Sequence, residues 1–271
     1  MTTLSQLGEL GLLAELERRG LIRGVEHDAA QVADLVVTQD GLVEGIHFRL
    51  DRLTPRELGF RAAAVNISDL AASGARPLAL LVTLAAPPAT PVEDVLSLYE
   101  GLAEPGVPIV GGDTTAADRV FLSVTALGRS ARVPGRAGAL PGDALVVTGP
   151  LGAAGAAFRR GAYVRPPLRV EEGVALAATA HALMDISDGL GVDAAHIARR
   201  SGVRCVVDLE RVPLAPGATL DDLGFGEDFE LLAAVPEPGR FPAIGRVEEG
   251  EGLELRLDGE PHELGGYEHF A

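Results

Sequence analysis

The chain has 271 residues, 47% of them hydrophobic, and carries a formal charge of −16 from 39 acidic and 23 basic residues, every basic one an arginine. That length allows one large domain or two ordinary ones with a real core, the hydrophobic content excludes a disordered acidic tail, and the charge argues against a broad nucleic-acid-binding face. The single cysteine, Cys205, excludes an internal disulfide and any multi-cysteine zinc site, and the absence of lysine excludes Schiff-base chemistry, a Walker-A lysine and the catalytic lysine of protein kinases.

Residues 4–19 place leucines at helical spacing and stop at Gly20. The run "ADLVVTQD" reads as a strand ending near Thr38 and Asp40. "TPRELGFRAAAVNISDLAASGARP" reads as a long helix, with Thr54 as cap, Pro55 opening it, Glu57 completing a capping box and Gly74 ending it. "LALLVTLAAP" is a strand, residues 91–103 a helix, and "VPIVGGD" and "VFLSVTALGR" two further strands. A loop rich in Gly, Pro and Arg, residues 130–143, divides the chain and is the best boundary. We expect domains at 1–133 and 134–271. Beyond the loop, "ALVVTG", "VRCVVDLERVPL" and "FELLAAVP" read as strands, "DGLGVDAAHIARR" as a helix that Ser187 or Asp188 could cap, and the tail "ELGGYEHFA" as short and glycine-hinged. Cys205 fits a small core residue in a strand. Strands and helices intermix in both halves, which points to an α+β fold of two domains. No basic-then-apolar leader and no membrane-length apolar run is present, so a cytoplasmic location and no membrane partner are expected.

Acidic residues recur where apolar runs end: Asp28, Asp40, Asp69 and Asp113, then Asp185, Asp188, Glu227 and Asp228. One Asp at a strand end is ordinarily a turn former or a helix cap. Asp69, in the middle of an apolar helix, and the pair Asp185 and Asp188 are harder to explain that way, because a buried lone carboxylate is costly. Flanked by Gly, Ser and Thr, these residues make the oxygen ligand set of a hard divalent cation, magnesium first. Carboxylates alone repel phosphate, but with bound cations they become a phosphate clamp, so a lysine-free nucleotide site is the reading. The histidines lack zinc spacing. His47, in "EGIHF" directly after the Asp40 loop, stands out, and Arg136 could meet a phosphate or be a solvated surface residue.

"VVTQDGLVEGIHF", "AAAVNISDLAASGARP", "VGGDTT", "GRAGALPGDALVVTGPLG", "MDISDGL", "GEDFEL" and "GYEHF", in that order, resemble the thiamine-monophosphate kinase family within the group related to aminoimidazole ribonucleotide synthetase. The resemblance implies an aminoimidazole ribonucleotide synthetase-like fold, an N-terminal sheet that pairs across a homodimer, a C-terminal mixed α/β domain, and transfer of the γ-phosphoryl of ATP to thiamine monophosphate. It implies magnesium held by Asp28, Thr38, Gln39, Asp40, Asp69, Asp113, Asp185 and Asp188, with Asp40, Asp69 and Asp113 central to catalysis. It implies ATP contacts from Gly112, Asp113, Arg136 and Ser187, and thiamine contacts from His47, Glu227 and Tyr267. Gln39 stands where the family has a small hydroxyl residue, so a metal contact there would come through its backbone. His27 stands where the family has an aspartate, and the chain is shorter around 102–108, where a nucleotide-packing tyrosine is usual. These departures keep two alternatives open: a nucleotide or thiamine-phosphate binder with weak or no turnover, and another member of the superfamily such as aminoimidazole ribonucleotide synthetase.

Overall fold

Alternating burial along the central strands of the first half, and short strands in the second of which two are fully buried, sort the chain into two sheets. The computed structural model describes residues 3–22 and 27–267. In chain order the elements are α1 (Leu4–Arg18), β1 (Ala30–Val32), β2 (Leu35–Val43), α2 (Pro55–Ala72), β3 (Arg76–Ala86), α3 (Val92–Ala103), β4 (Ile109–Ala116), β5 (Phe121–Arg129) and β6 (Ala144–Val147). Then come α4 (Ala153–Arg159), α5 (Val170–Ala177), β7 (Ala182–Asp185), α6 (Leu190–Ser201), β8 (Arg204–Asp208), β9 (Leu231–Val235), β10 (Ala243–Glu248), β11 (Gly252–Leu257) and β12 (Glu260–His262).

The first sheet runs β1-β2-β5-β3-β4. Side chains alternate across a strand with period two, so Val36, Thr38 and Leu42 of β2 share the covered face with Leu122 and Val124 of β5 and Leu80, Val82 and Leu84 of β3. The opposite face carries Gln39, Thr125 and Leu81 in one cross-strand row, and Gly41, Ser123, Thr83 and Asp113 in the next. β4 forms one edge, pairs in parallel with β3 only, and is exposed along nearly its whole length. The second sheet runs β12-β11-β8-β10-β6-β9-β7, with every residue of β7 and β9 buried. Its core is aliphatic and includes Cys205, whose burial pushes the thiol up to about 12 and leaves it inert.

Helix α2 joins the two halves. Thr54 accepts from the Glu57 backbone N–H while the Glu57 carboxylate accepts from the Thr54 N–H at 2.7 Å, the capping box expected from the sequence. The helix is buried nearly all round instead of on one stripe, because α3 and the first sheet flank it on one side and α5 and β7 on the other. Ala71 and Ala72 pack with Val146, Leu183, Leu231 and Ala233 of the second half. Glycine permits the close crossing with α3: a Cβ added at Gly59 would stand 1.9 Å from the Leu98 carbonyl oxygen, and one at Gly101 would stand 1.9 Å from that of Arg56.

The α+β architecture agrees with expectation, and the long helix and strands β2–β5 fall where the sequence places them, although β2 and β4 continue past Asp40 and Asp113 to Val43 and Ala116. The pattern missed β1, β7 and the β10–β12 series. β1 and β12 have three residues each, and β7 is a uniformly buried run of four, too short for periodicity to declare itself. Helix α1 also breaks at Gly8, whose φ of 70° lies outside the helical region. "GYEHF" is described only as far as Tyr267.

Because the α2–α3 crossing leaves no room for a methyl group, Gly59→Ala or Gly101→Ala should each cost about 1–3 kcal/mol through overpacking. Gly265→Ala, where an added Cβ meets nothing within 4 Å, should stay within about 0.5 kcal/mol of the parent. Thermal or urea unfolding of the three variants measures the difference.

Candidate active site at the seam between the sheets

The acidic residues that end separate runs in the sequence meet where α2 passes between the sheets. Asp28, Asp69 and Asp185 each offer a carboxylate oxygen within 4.8 Å of the others. Asp69 comes from the last turns of α2, Asp185 from the end of β7, and Asp28 from the loop before β1. Asp40, on the covered face of β2, lies in hydrogen-bonding reach of Asp69. Thr38, one step back on the same face, donates its hydroxyl to Asp69 Oδ2 at 2.5 Å. The hydroxyl of Ser68 donates to Asp185 Oδ2 at 2.6 Å, and Asn66 Oδ1 accepts from the Asp40 N–H at 3.1 Å. Arg136 supplies the one cation in contact among the described residues, its Nε reaching Asp28 Oδ1 at 2.9 Å, while Asp28 Oδ2 is buried with no partner.

Two unit charges at this separation repel by about 3 kcal/mol at an effective dielectric near 20. One arginine cannot neutralise four carboxylates. Burial, with the neighbouring carboxylates adding to it, pushes Asp69 well above its usual range and Asp185 up to about 8, and burial also raises Asp28 and Asp40. A hard divalent cation is the partner this set of oxygens fits, with the orphaned Asp28 Oδ2 as an unused ligand atom.

The loop after β7 is fixed by a residue the sequence reading passed over. One oxygen of Asp193, in the first turn of α6, accepts from the N–H groups of Ser187, Asp188 and Gly189, each at 3.1 Å. Neither Ser187 nor Asp188 caps α6; the capping carboxylate reaches back from inside the helix. Asp188 stands beside the cluster without joining its three convergent oxygens, and its carbonyl accepts from the Tyr267 N–H at 3.1 Å.

A cavity of about 370 Å³ opens next to this loop. His47, Ser187, Glu227 and Tyr267 line it together with Arg61, Phe158, Phe225 and Phe229. His47 is held by its Nδ1, which accepts from the Val43 N–H at 3.0 Å. Glu227 pairs with Arg61 of α2. The Phe158 and Phe225 rings meet with centroids 5.0 Å apart and planes tilted by 34°, and the Arg52 guanidinium lies 4.9 Å over the Phe158 ring. Within "GEDFEL" the acidic side chains divide. Asp228 accepts from Gly152 N–H at 2.7 Å at the start of α4, and Glu230 takes a two-pronged pair from Arg169 at 2.7 and 2.6 Å plus the Thr148 hydroxyl at 2.6 Å. That bonding leaves Glu227 facing the cavity.

Asp113 and Gly112 do not reach this site. Asp113 shares the row of Thr83, Ser123 and Gly41, on the face of the first sheet opposite Asp40, with β5 and β3 between β4 and β2. Gly112 is required where it is: at φ 147°, an added Cβ would stand 1.8 Å from the Val82 carbonyl oxygen. The Gln39 side chain also points to that opposite face, bonding Ser123 and Thr125 at 3.0 and 3.1 Å, so as a ligand it could offer only its backbone. His27 packs against Gly135 with Nδ1 buried and without a partner among the described residues, outside the carboxylate cluster. Among the residues missed, Asn66 and Ser68 had a signal, being polar within an otherwise apolar helix; Arg61, the lone charge in "GFRAAAVN", had the same one.

The raised carboxyls give a pH test. A carboxyl whose folded pKa exceeds its unfolded value adds stability below the unfolded pKa and loses that contribution as pH rises through the folded one. For Asp185 that window runs from about 4 to about 8. A divalent cation must displace the same protons, so the rise in melting temperature on adding millimolar magnesium chloride should grow from about pH 5 to about pH 8. A rise that is flat or shrinks over this range would count against the cluster as a cation site.

Residues 26–130 match the family model described as AIR synthase related protein, N-terminal domain. The thiamine-monophosphate kinase of Aquifex aeolicus is 32% identical over 98% of this chain and 99% of its own length, and that of Mycobacterium tuberculosis 37% identical over 95% and 90%. Among solved structures, a complex of AaThiL with AMPPCP and TMP superposes with a TM-score of 0.90 at 32% identity, covering 99% of both chains. The hydrogenase maturation protein HypE bound to ATP, at 21% identity and a TM-score of 0.72, shares the fold. With identity above 30% across nearly the whole length, the chain belongs to the thiamine-monophosphate kinase family.

Proposed function

We propose that this protein phosphorylates thiamine monophosphate at the expense of ATP, giving thiamine diphosphate and ADP. The observation that carries the reading is the adjacency of a buried carboxylate cluster to a cavity lined by His47, Ser187, Glu227 and Tyr267. The kinase names of the relatives and the nucleotide analogue in the AaThiL complex support it. Asp28, Asp40, Asp69 and Asp185 would hold magnesium, with Thr38 and Asp188 beside them, and the bound cations supply charge neutralisation for the phosphate oxygens.

The chain's own residues have separate tasks. Arg136 is held at the cluster by Asp28 and offers its remaining N–H donors to a nucleotide phosphate. Ser187, on a loop pinned by Asp193, offers its hydroxyl at the rim of the same cavity. His47, Glu227 and Tyr267 orient the thiamine portion, Tyr267 offering a ring face. No general base is required, because the acceptor oxygen of a phosphate monoester is already anionic near neutral pH. Positioning and electrostatics then carry the catalysis, for in-line attack needs two anionic phosphates held at close quarters.

The uncovered face of the first sheet and the exposed β4 edge suit the sheet-to-sheet homodimer that the resemblance implies. In that arrangement Gly112 and Asp113 belong to the pairing surface, and any contact they make with nucleotide or metal serves a site shared between copies. A second reading, binding without turnover, is favoured by His27, which stands where the family has an aspartate and keeps its Nδ1 away from the cluster.

Release of ADP from magnesium-ATP, measured with and without thiamine monophosphate, separates the two readings. Turnover that depends on the monophosphate is expected; binding of both ligands with no ADP supports the second. Asp69→Asn removes one of several crowded carboxylates, so turnover should fall at least about a hundredfold. Its circular dichroism should match the parent and its metal-free melting temperature should be equal or higher. Parallel loss of fold and activity would show that Asp69 is structural.

A further inference from the structure

One buried cation in the cavity wall has no role in the account above. Arg61 projects from the second turn of α2, amid Phe60, Ala62, Ala63 and Ala64. Its side chain is only 10% exposed. Among the described residues its one hydrogen bond runs from Nη2 to Glu227 Oε1, and its Nε is buried with no partner. The other arginines of the wall are placed differently: Arg49 is exposed and paired with Asp51 at 2.8 Å, and Arg52 lies over the Phe158 ring. A guanidinium has five N–H donors in a rigid plane, and an unmet buried donor costs about 1–3 kcal/mol. A chain that keeps such a group in a cavity wall keeps it for an anion.

Its position selects which anion. Ser68, the hydroxyl that bonds Asp185, follows Arg61 by seven residues, two turns or about 10 Å along the same face of α2. Arg61 and Ser187 line one cavity, and Ser187 follows Asp185 of the cluster by two residues. An acceptor that is a phosphate monoester must bring nearly two negative charges into a seam rich in carboxylates, in a chain without lysine. A fixed planar guanidinium suits that group, since two parallel N–H donors meet two phosphate oxygens.

We propose that Arg61 binds the phosphate of the acceptor substrate, and that Glu227 holds the guanidinium toward the cavity until that phosphate arrives. The proposal rests on the kinase reading for the identity of the acceptor. It assigns to Arg61 the discrimination between a phosphorylated and an unphosphorylated acceptor.

The test compares equilibrium binding of thiamine monophosphate and of thiamine, by calorimetry, to the parent protein, Arg61→Ala and Arg61→Lys, alongside KM for both substrates. The parent should prefer the monophosphate by about 10–100-fold, the worth of one charged hydrogen-bonded pair. Arg61→Ala should erase that preference and raise the acceptor KM by a similar factor while KM for ATP stays within about twofold. Arg61→Lys should recover part of both. Should Arg61→Ala fold poorly, Arg61→Gln serves in its place. A preference that survives the neutral variant, or an equal loss of thiamine, monophosphate and ATP affinity, would overturn the proposal. Absence of ADP release by the parent would sink the kinase reading alone, because the binding comparison still reports on Arg61.

Discussion

Everything in this structure is arranged around the burial of like charges. Asp28, Asp40, Asp69 and Asp185 are drawn from four separate segments to one point, with a single arginine in contact among the described residues. Such a cluster stands only if protons or cations occupy it, and the raised pKa values are that statement in another form. The surrounding hydroxyl donors, Thr38 and Ser68, orient the oxygens without neutralising them, and Asn66 holds the Asp40 backbone by accepting its N–H. The fold thus builds an electrostatic deficit and leaves its settlement to ligands.

Helix α2 makes that deficit tolerable by fixing where each group lies. It is clamped by α3 through facing glycines, and by α5 where Gly173 meets the Ala71 carbonyl so closely that an added Cβ would stand 2.1 Å away. Interiors packed to this density deform little. Asp69, Ser68 and Arg61 therefore keep their spacing along one rigid axis, and the cluster and the cavity inherit that spacing. The second sheet contributes by rigidity of another kind, since β7 and β9 are wholly buried and deliver Asp185 and the "GEDFEL" segment to the seam.

That segment shows how structural and functional acids are told apart. Asp228 and Glu230 are consumed by α4 and by Arg169 with Thr148, and hold the turn from both sides. Between and beside them Glu227 and Phe229 adopt φ values of 60° and 50°, a conformation that costs a side-chain-bearing residue about 1–2 kcal/mol. The two anchors hold the backbone in this geometry, and both strained residues face the cavity.

The sequence alone determined the α+β class, the capping and extent of α2, four of the five strands of the first sheet, and the acidic character of a site without lysine. These follow from local rules: capping chemistry, period-two alternation, and the cost of placing Asp69 inside an apolar helix. The family resemblance of its motifs also pointed to His47, Ser187, Glu227 and Tyr267, four of the residues that line the cavity. Only the tertiary structure decided which acids meet. Asp113 and Asp40 both end strand-like runs, yet strand order and side-chain parity put them on opposite faces of one sheet. Likewise Arg61 and Ser68 gain their meaning from partners 166 and 117 residues away in the chain, and no local pattern encodes a contact of that kind. Short buried strands such as β7 escaped for the same reason, since pairing and burial define them and both are properties of the assembled molecule.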